Sequence, residues 1–300
     1  MISNLLSKYV WLAETIYSAN GITFAEINQK WLDNDLSEGI NLSKRTFQKW
    51  KIAIEELFGL IIDCERKNGY RFVIRNKEDL HPDNLTGWLF RTLTLSSKLE
   101  RYKSLGSYIL LEDIFVKEDL LTTILEAIRN NTTLLITYKS FYRDEATSFE
   151  VEPYCLKIFQ QRWYLIAKSS GFETPRIYAL DRIVHLQPTG NPFTYPKDFS
   201  PARFFASSYG VIVDETIEAE NIELKIGASQ VAYLRSLPLH HSQQEVEQTE
   251  KYTIFRLRMA PTFDFEQQIL SLGEYVEVLS PLWFRERMVH RIEKMMKQYK

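Results

Sequence analysis

Apolar residues recur every three or four positions through the first sixty residues, and the rhythm breaks where a helix would have to stop. Leu5, Tyr9, Leu12 and Ile16 share one helical face, and Asn20-Gly21 follows with residues suited to a left-handed C-terminal cap. Thr23 predicts the cap of a second helix in which Phe24, Ile27 and Trp31 align, with Glu26 three residues on to complete a capping box. After a polar loop over 33–41, Ser43 caps a third helix, 44–58, whose predicted buried stripe is Phe47, Trp50, Ile54 and Leu57. Gly59 ends it. Two strand-like runs, 60–64 and 70–74, are joined by Glu65-Arg66-Lys67-Asn68-Gly69, where Asn-Gly signals a tight hairpin. Three helices and a hairpin predict a winged helix-turn-helix over residues 1–75.

The pattern then changes twice. Over 76–130 a helical connector is expected: Asp83 and Thr86 precede Trp88, Leu89, Leu93, Leu95 and Leu99, and a second helix over 117–129 spaces Leu120, Ile124 and Ile128 four apart. Shorter apolar runs over 108–116 lie between them. From 131 to 190 the segments 134–142, 149–159, 163–168 and 176–186 are rich in branched and aromatic residues and separated by turn residues, which predicts a small antiparallel barrel or a strongly bent sheet. Four prolines over 188–201 mark a linker. Beyond it, strands at 222–226, 252–259 and 276–279 alternate with helices near 229–236 and 264–271. A last helix, expected to be capped by Ser280 with Pro281 at its first position, carries Phe284, Met288, Ile292 and Met295. Residues 191–300 are thus expected to form an α+β module, and the whole chain an α+β multidomain protein.

Charge narrows the function. The chain of 300 residues has a formal net charge of −2, so any contact with nucleic acid has to be local. Residues 1–75 hold ten Lys/Arg and nine Asp/Glu, a balance of +1, yet the third helix concentrates its cations. Arg45, Gln48 and Lys49 stand opposite the apolar stripe, flanked by Lys44 and Lys51, and no acid follows until Glu55. Such a face can neutralise phosphates and present side chains to base edges, with Ser43, Arg66 and Lys67 meeting the flanking backbone; a solvated helix face is the alternative. On the predicted strand at 176–186, alternation places Arg176, Tyr178, Leu180 and Arg182 on one face. Trp163 and Leu165 face the core, and Tyr164 faces away.

The motifs of hydrolases, metalloenzymes and phosphate-binding loops are missing, so an enzyme is not expected, nor a cofactor. Cys64 and Cys155 are far apart, and the close histidine pair, His240-His241, points in divergent directions, so neither a disulfide framework nor a metal site is expected. No stretch has the length of uncharged apolar residues that a membrane span needs, and a cytoplasmic protein is expected.

Arg162-Trp163-Tyr164-Leu165-Ile166-Ala167 resembles the signature of the WYL family of bacterial regulators. The likeness extends to Glu152-Pro153-Tyr154 upstream and Tyr178-Ala179-Leu180-Asp181-Arg182-Ile183 downstream, in order and approximate spacing. Residues 272–281 resemble that family's C-terminal extension, with Tyr209-Gly210-Val211 fitting its entry. Residues 42–46 and 68–72 are similar to the winged helix that commonly precedes such domains. One departure stands out: where the family often has Arg-Asp after the Ser-x-Arg-Thr segment, this chain has Gln48-Lys49.

The resemblance implies a small Sm-like β-barrel that binds a negatively charged ligand, a nucleotide or a short nucleic acid. Arg182 is the matching position, with Tyr138, Arg143 and Arg176 as weaker candidates and Tyr164 as a wall. A structural ion pair of Arg182 with Asp181, Glu150 or Glu152 is the competing account. The implied function is a ligand-responsive transcriptional regulator that binds duplex promoter DNA as a homodimer, since paired half-sites follow from two-fold symmetry. The alternative is an accessory protein whose barrel holds single-stranded DNA or RNA.

Overall fold

The computed structural model describes residues 4–81, 84–110 and 118–300, so the expectations for Asp83 and for 111–117 lie outside the described residues. The chain divides into two compact units, Met1–Glu112 and Asp113–Lys300. It is a mixed α+β protein with antiparallel sheets.

In the first unit, α1 (Asn4–Ala19) leads through β1 (Ile22–Thr23) into α2 (Phe24–Leu32), followed by α3 (Lys44–Phe58), β2 (Ile62–Glu65), β3 (Arg71–Ile74) and α4 (Leu85–Arg101). Local chemistry sets the starts and stops. Thr23 and Glu26 form the full capping box, Ser43 Oγ accepts from Thr46 N at 3.0 Å, and Gly59 closes α3 at φ 65°. Leu12, Ile16, Ile27, Phe47, Trp50 and Ile54 close one core, in which Trp31 meets Trp11 and Trp50 edge-on at 4.9 and 5.1 Å. Trp31 Nε1 also donates to the Ile40 carbonyl at 2.9 Å, which ties the loop after α2 to the core.

Three details differ from the pattern. Leu57 is 59% exposed, because the helix rotates it past the edge of the core and Phe58 takes the inward position, edge-on to Phe90 at 5.8 Å. The hairpin is not a two-residue Asn-Gly turn: Glu65 pairs with Arg71, and Arg66–Asn68 form a 3-10 turn capped by Gly69 at φ 77°. On α4, Phe90 and Ser97 face inward while Trp88, Leu89 and Leu95 are exposed.

The second unit begins with α5 (Glu118–Asn130), then β4 (Thr132–Tyr138), β5 (Thr147–Phe159), β6 (Arg162–Ser169), β7 (Arg176–Ala179) and β8 (Ile183–Pro192). These strands form one antiparallel sheet in the order β7-β6-β5-β4-β8. Its edges are β7 and β8, so among the described residues the expected barrel is not closed. A bulge between Pro153 and Cys155 and shifts along the β4–β8 pairing bend the sheet instead. Ile124 and Ala127 of α5 cover the face carrying Leu134, Ile136, Leu165 and Tyr178. Trp163 packs against the same core.

The proline segment is not a free linker. Pro188 and Pro192 lie in β8, and Phe193, Tyr195 and Phe199 gather round the Tyr154 ring at 6.1, 5.5 and 5.0 Å, with Tyr195 Oη donating to the Tyr154 carbonyl. After α6 (Pro201–Phe204) come β9 (Glu220–Gly227), α7 (Ala228–Ser236), β10 (Gln244–Gln248), β11 (Tyr252–Met259), α8 (Phe263–Ser271), β12 (Val276–Ser280) and α9 (Leu282–Gln298). The second sheet runs β10-β11-β9-β12, all antiparallel. Ile222, Leu224 and Ile226 alternate inward along β9 onto Phe255, Phe265 and Phe284. Pro281 is itself the cap of α9, one place later than the sequence pattern suggests, and Ile292 and Met295 are half-exposed rather than core. No helix of the described residues is long and apolar enough to cross a membrane.

Candidate functional site

Because Phe47, Trp50 and Ile54 are held in the core, the rest of α3 is committed to the outside. Ser43, Lys44, Arg45, Gln48 and Lys49 are all exposed, and Lys51 is half-buried at the edge. Among the described residues Lys44, Arg45 and Lys49 form no ion pair, whereas the neighbouring cations Arg71 and Arg75 are taken up by the fold. Arg71 donates to the Gly21 carbonyl at 2.8 Å, and Arg75 binds Asp63, holding that carboxyl below its ordinary range after the larger effect of the Cys64 amide. The unspent positive charge is thereby confined to one side of α3. Arg66 and Lys67 are exposed at the hairpin tip.

In the second unit the five candidate ligand residues separate into three places. Tyr138, Arg143 and Arg176 converge on one cleft of about 460 Å³, together with Ser140, Thr147, Phe149, Ser169, Ser170, Phe172 and Tyr178. Its back wall is aromatic: Tyr138 meets Tyr178 edge-on at 5.3 Å, and Phe149 lies 5.5 Å from the same ring. Tyr178 Oη donates to Ser169 Oγ at 3.0 Å, and burial is the main reason its phenol is raised above the ordinary value. Arg176 lies over the Phe172 ring at 4.4 Å, which places the guanidinium at one side of the cleft. Apolar walls, hydroxyls and two arginines make a site for a flat group bearing negative charge.

Tyr164 is elsewhere. It pairs in register with Lys157, on the face away from Trp163 and Leu165, and burial raises its phenol. Arg182 is also elsewhere, because strand alternation ends at Ala179 and Leu180–Arg182 form a 3-10 turn. The one-face alignment of Arg176 with Arg182 therefore does not hold. Arg182 stacks on Phe141 at 3.8 Å, and its Nε is buried without a hydrogen-bond partner among the described residues. The competing ion pair does not hold it either: Asp181 stands 3.8 Å from Arg162, Glu150 accepts from Asn191 and the hydroxyls of Thr133 and Thr189, and Glu152 accepts from Tyr154.

The WYL domain family profile matches residues 119–188, and the WCX domain profile matches residues 218–296. The chain is thus a WYL-domain protein with a WCX domain after it. Two solved structures are similar to it at low identity. Proteasome accessory factor B/C (PafBC) of Arthrobacter aurescens shares 18% identity with a TM-score of 0.35 over 97% of this chain, which spans 46% of that longer chain. A structure titled as a CRISPR Cas-related protein shares 15% identity with a TM-score of 0.42, covering 99% of this chain and 84% of its own. No curated protein matches the chain.

A lysine that sequence reasoning passed over ties the WYL domain to the segment before the WCX domain. Lys157 leaves the WYL sheet, donates to the Gly210 carbonyl at 2.6 Å and lies 3.7 Å from the centre of the Phe205 ring. Burial pushes its ammonium down to about 8, partly opposed by Asp264. From the WCX side, Asp264 Oδ2 accepts from both Val211 N and Ile212 N at 2.8 Å. Residues 209–212 are thus held from both domains. The sequence carried one signal of this, a cation at 157 as the one charge in the run 153–159. Phe172 was also missed as a cleft residue, since Ser169-Ser170-Gly171 marks a turn and says nothing about what the turn faces.

Proposed function

We propose that this chain is a DNA-binding transcription regulator whose first unit works as a winged helix-turn-helix and whose WYL domain binds an anionic effector. In this reading α3 enters the major groove, Lys44, Lys49 and Lys51 neutralise phosphates, Arg45 and Gln48 reach base edges, and Arg66 and Lys67 touch the backbone beside the groove. The observation that carries it is the exposed cationic face of α3, free of ion pairs among the described residues, opposite a packed one. Ser43 and the amides of the first turn add a helix N-terminus suited to a phosphate. The protein acts in the bacterial cytoplasm as a homodimer, without catalysis or cofactor.

The effector occupies the cleft lined by Tyr138, Arg143 and Arg176. Arg182, over Phe141, borders the loop that carries Arg143, and Tyr164 stands on the opposite face, towards the WCX domain. The open, bent sheet serves in place of the closed Sm-like barrel. Effector binding shifts operator affinity through the relative placement of two DNA-binding units.

Gel shift against duplex DNA from upstream of the reading frame, with the parent and an Arg45→Ala/Lys49→Ala variant, tests the reading. Loss of two charge-assisted contacts is expected to lower affinity on the order of 100-fold at moderate salt, with a shallower salt dependence. Parental affinity in a folded double variant would end the regulator reading. A single-strand-binding accessory role is favoured by one feature, the exposed aromatics Phe141 (70%) and Tyr142 (95%) beside Arg143. Equal binding of single and double strands, lost only on changing the cleft arginines, would select it.

A further inference from the structure

We propose that Ile52 of α3 is a sequence-reading residue that packs against the C5-methyl group of a thymine in the major groove. The inference rests on the reading of α3 as the groove-entering helix and adds the base class that this helix selects.

Helical geometry singles this residue out. At 3.6 residues per turn, Arg45 and Ile52 stand about two turns apart in one column, with Gln48 and Lys49 on either side of it. That column lies opposite the buried residues Phe47, Trp50 and Ile54. Ile52 is 55% exposed in the middle of this polar face. A single exposed apolar side chain is ordinary on any protein, and Leu57 of the same helix is one. Leu57, however, stands about 140° round the helix from Ile52, off the column of Arg45. Ile52 lies in that column, between Arg45 two turns before it and Glu56 one turn after it.

Helix propensity does not account for an isoleucine there. A β-branched residue loses rotamer freedom in a helix, and Lys, Gln or Glu would suit a solvated position better. A groove contact does account for it. Base edges in the major groove offer hydrogen-bonding atoms and one apolar group, the thymine methyl. Arg45 and Gln48 match the first kind, as guanine and adenine readers, and Ile52 matches the second. Four residues separate Gln48 from Ile52, a rise of about 6 Å, so the thymine falls about two base steps from the base met by Gln48.

The test uses the full chain and duplexes selected from a random-sequence library. Each recurrent thymine is replaced by deoxyuridine, which removes the methyl and keeps the base pair, and affinities are measured for the parent and for Ile52→Ala. Alanine favours helix, and the site is exposed, so the variant is expected to fold. At one position per half-site, deoxyuridine should weaken the parent about fourfold and leave Ile52→Ala unaffected, the two changes failing to add because they remove the same contact.

Equal deoxyuridine effects in both proteins would overturn the proposal. So would a selection with no recurrent thymine, including one that enriches no sequence. The Arg45→Ala/Lys49→Ala variant keeps the two levels apart. If it binds duplex like the parent, α3 is not the DNA-contacting helix; if it loses binding while the methyl has no effect, only the role of Ile52 falls.

Discussion

Gly210 and Asp264 approach so closely that a Cβ on residue 210 would stand 2.8 Å from Asp264 Cγ. The carboxylate is held there by the amides of Val211 and Ile212, so it has little room to retreat. Glycine is needed at 210 for space, as its backbone is outside the left-handed region. Gly210→Ala is therefore expected to cost about 1–3 kcal/mol, read as a lower midpoint in chemical or thermal unfolding. In an Asp264→Gly background, which also removes the Asp264 Cβ that would stand 2.9 Å away, the same substitution should cost much less, and full additivity of the two would contradict the close approach.

Lys157 gives this joint a pH dependence. Its folded value is pushed down to about 8 by burial, against an ordinary 10.5. Between those values the unfolded chain holds a proton that the folded chain has released, so the contribution of Lys157 to stability rises with pH across the window and is least below 8. Thermal unfolding of the parent and of Lys157→Met should show a gap that moves in the parent's favour from pH 7.5 to 10. A gap that stays constant would mean an ordinary solvated lysine.

Within the WYL domain, Arg176 and Arg143 share a cleft that Arg182 does not line. Changing Arg176 or Arg143 to Ala should weaken binding of an anionic probe, a labelled nucleotide or oligonucleotide, by about tenfold or more each. Arg182→Ala is expected to act more weakly, by freeing Phe141. Titration by fluorescence anisotropy separates the outcomes, and an Arg182 effect larger than that of Arg176 would place the ligand outside the cleft.

Thr23 starts α2 with both halves of its capping box made, the Thr23 amide donating to Glu26 at 2.8 Å and the Glu26 amide to Thr23 Oγ1 at 3.3 Å. Thr23→Ala should destabilise the first unit by about 1 kcal/mol without changing duplex contacts beyond that loss. Unfolding followed by tryptophan fluorescence reports it directly, since Trp11, Trp31 and Trp50 share this core.

Local pattern determined a good deal about this protein. The Thr23 box, the Ser43 cap, the stop at Gly59 and the outward cations of α3 were all legible, because each depends on residues three or four apart and on helical periodicity. The facing of Trp163 and Leu165 was legible for the same kind of reason, the two-residue period of a strand. Tertiary structure decided the rest. It turned Leu57 outward, since where a core ends depends on what packs beside it. It drew Arg182 off the face of Arg176 through a turn at Leu180, and left β7 and β8 as open edges where a closed barrel was expected. It also set Lys157 against Gly210, fifty-three positions away, and Gly210 against Asp264, a further fifty-four. Such contacts follow from the path of the whole chain, and neither residue of a pair carries information about the other until the sheets between them have formed.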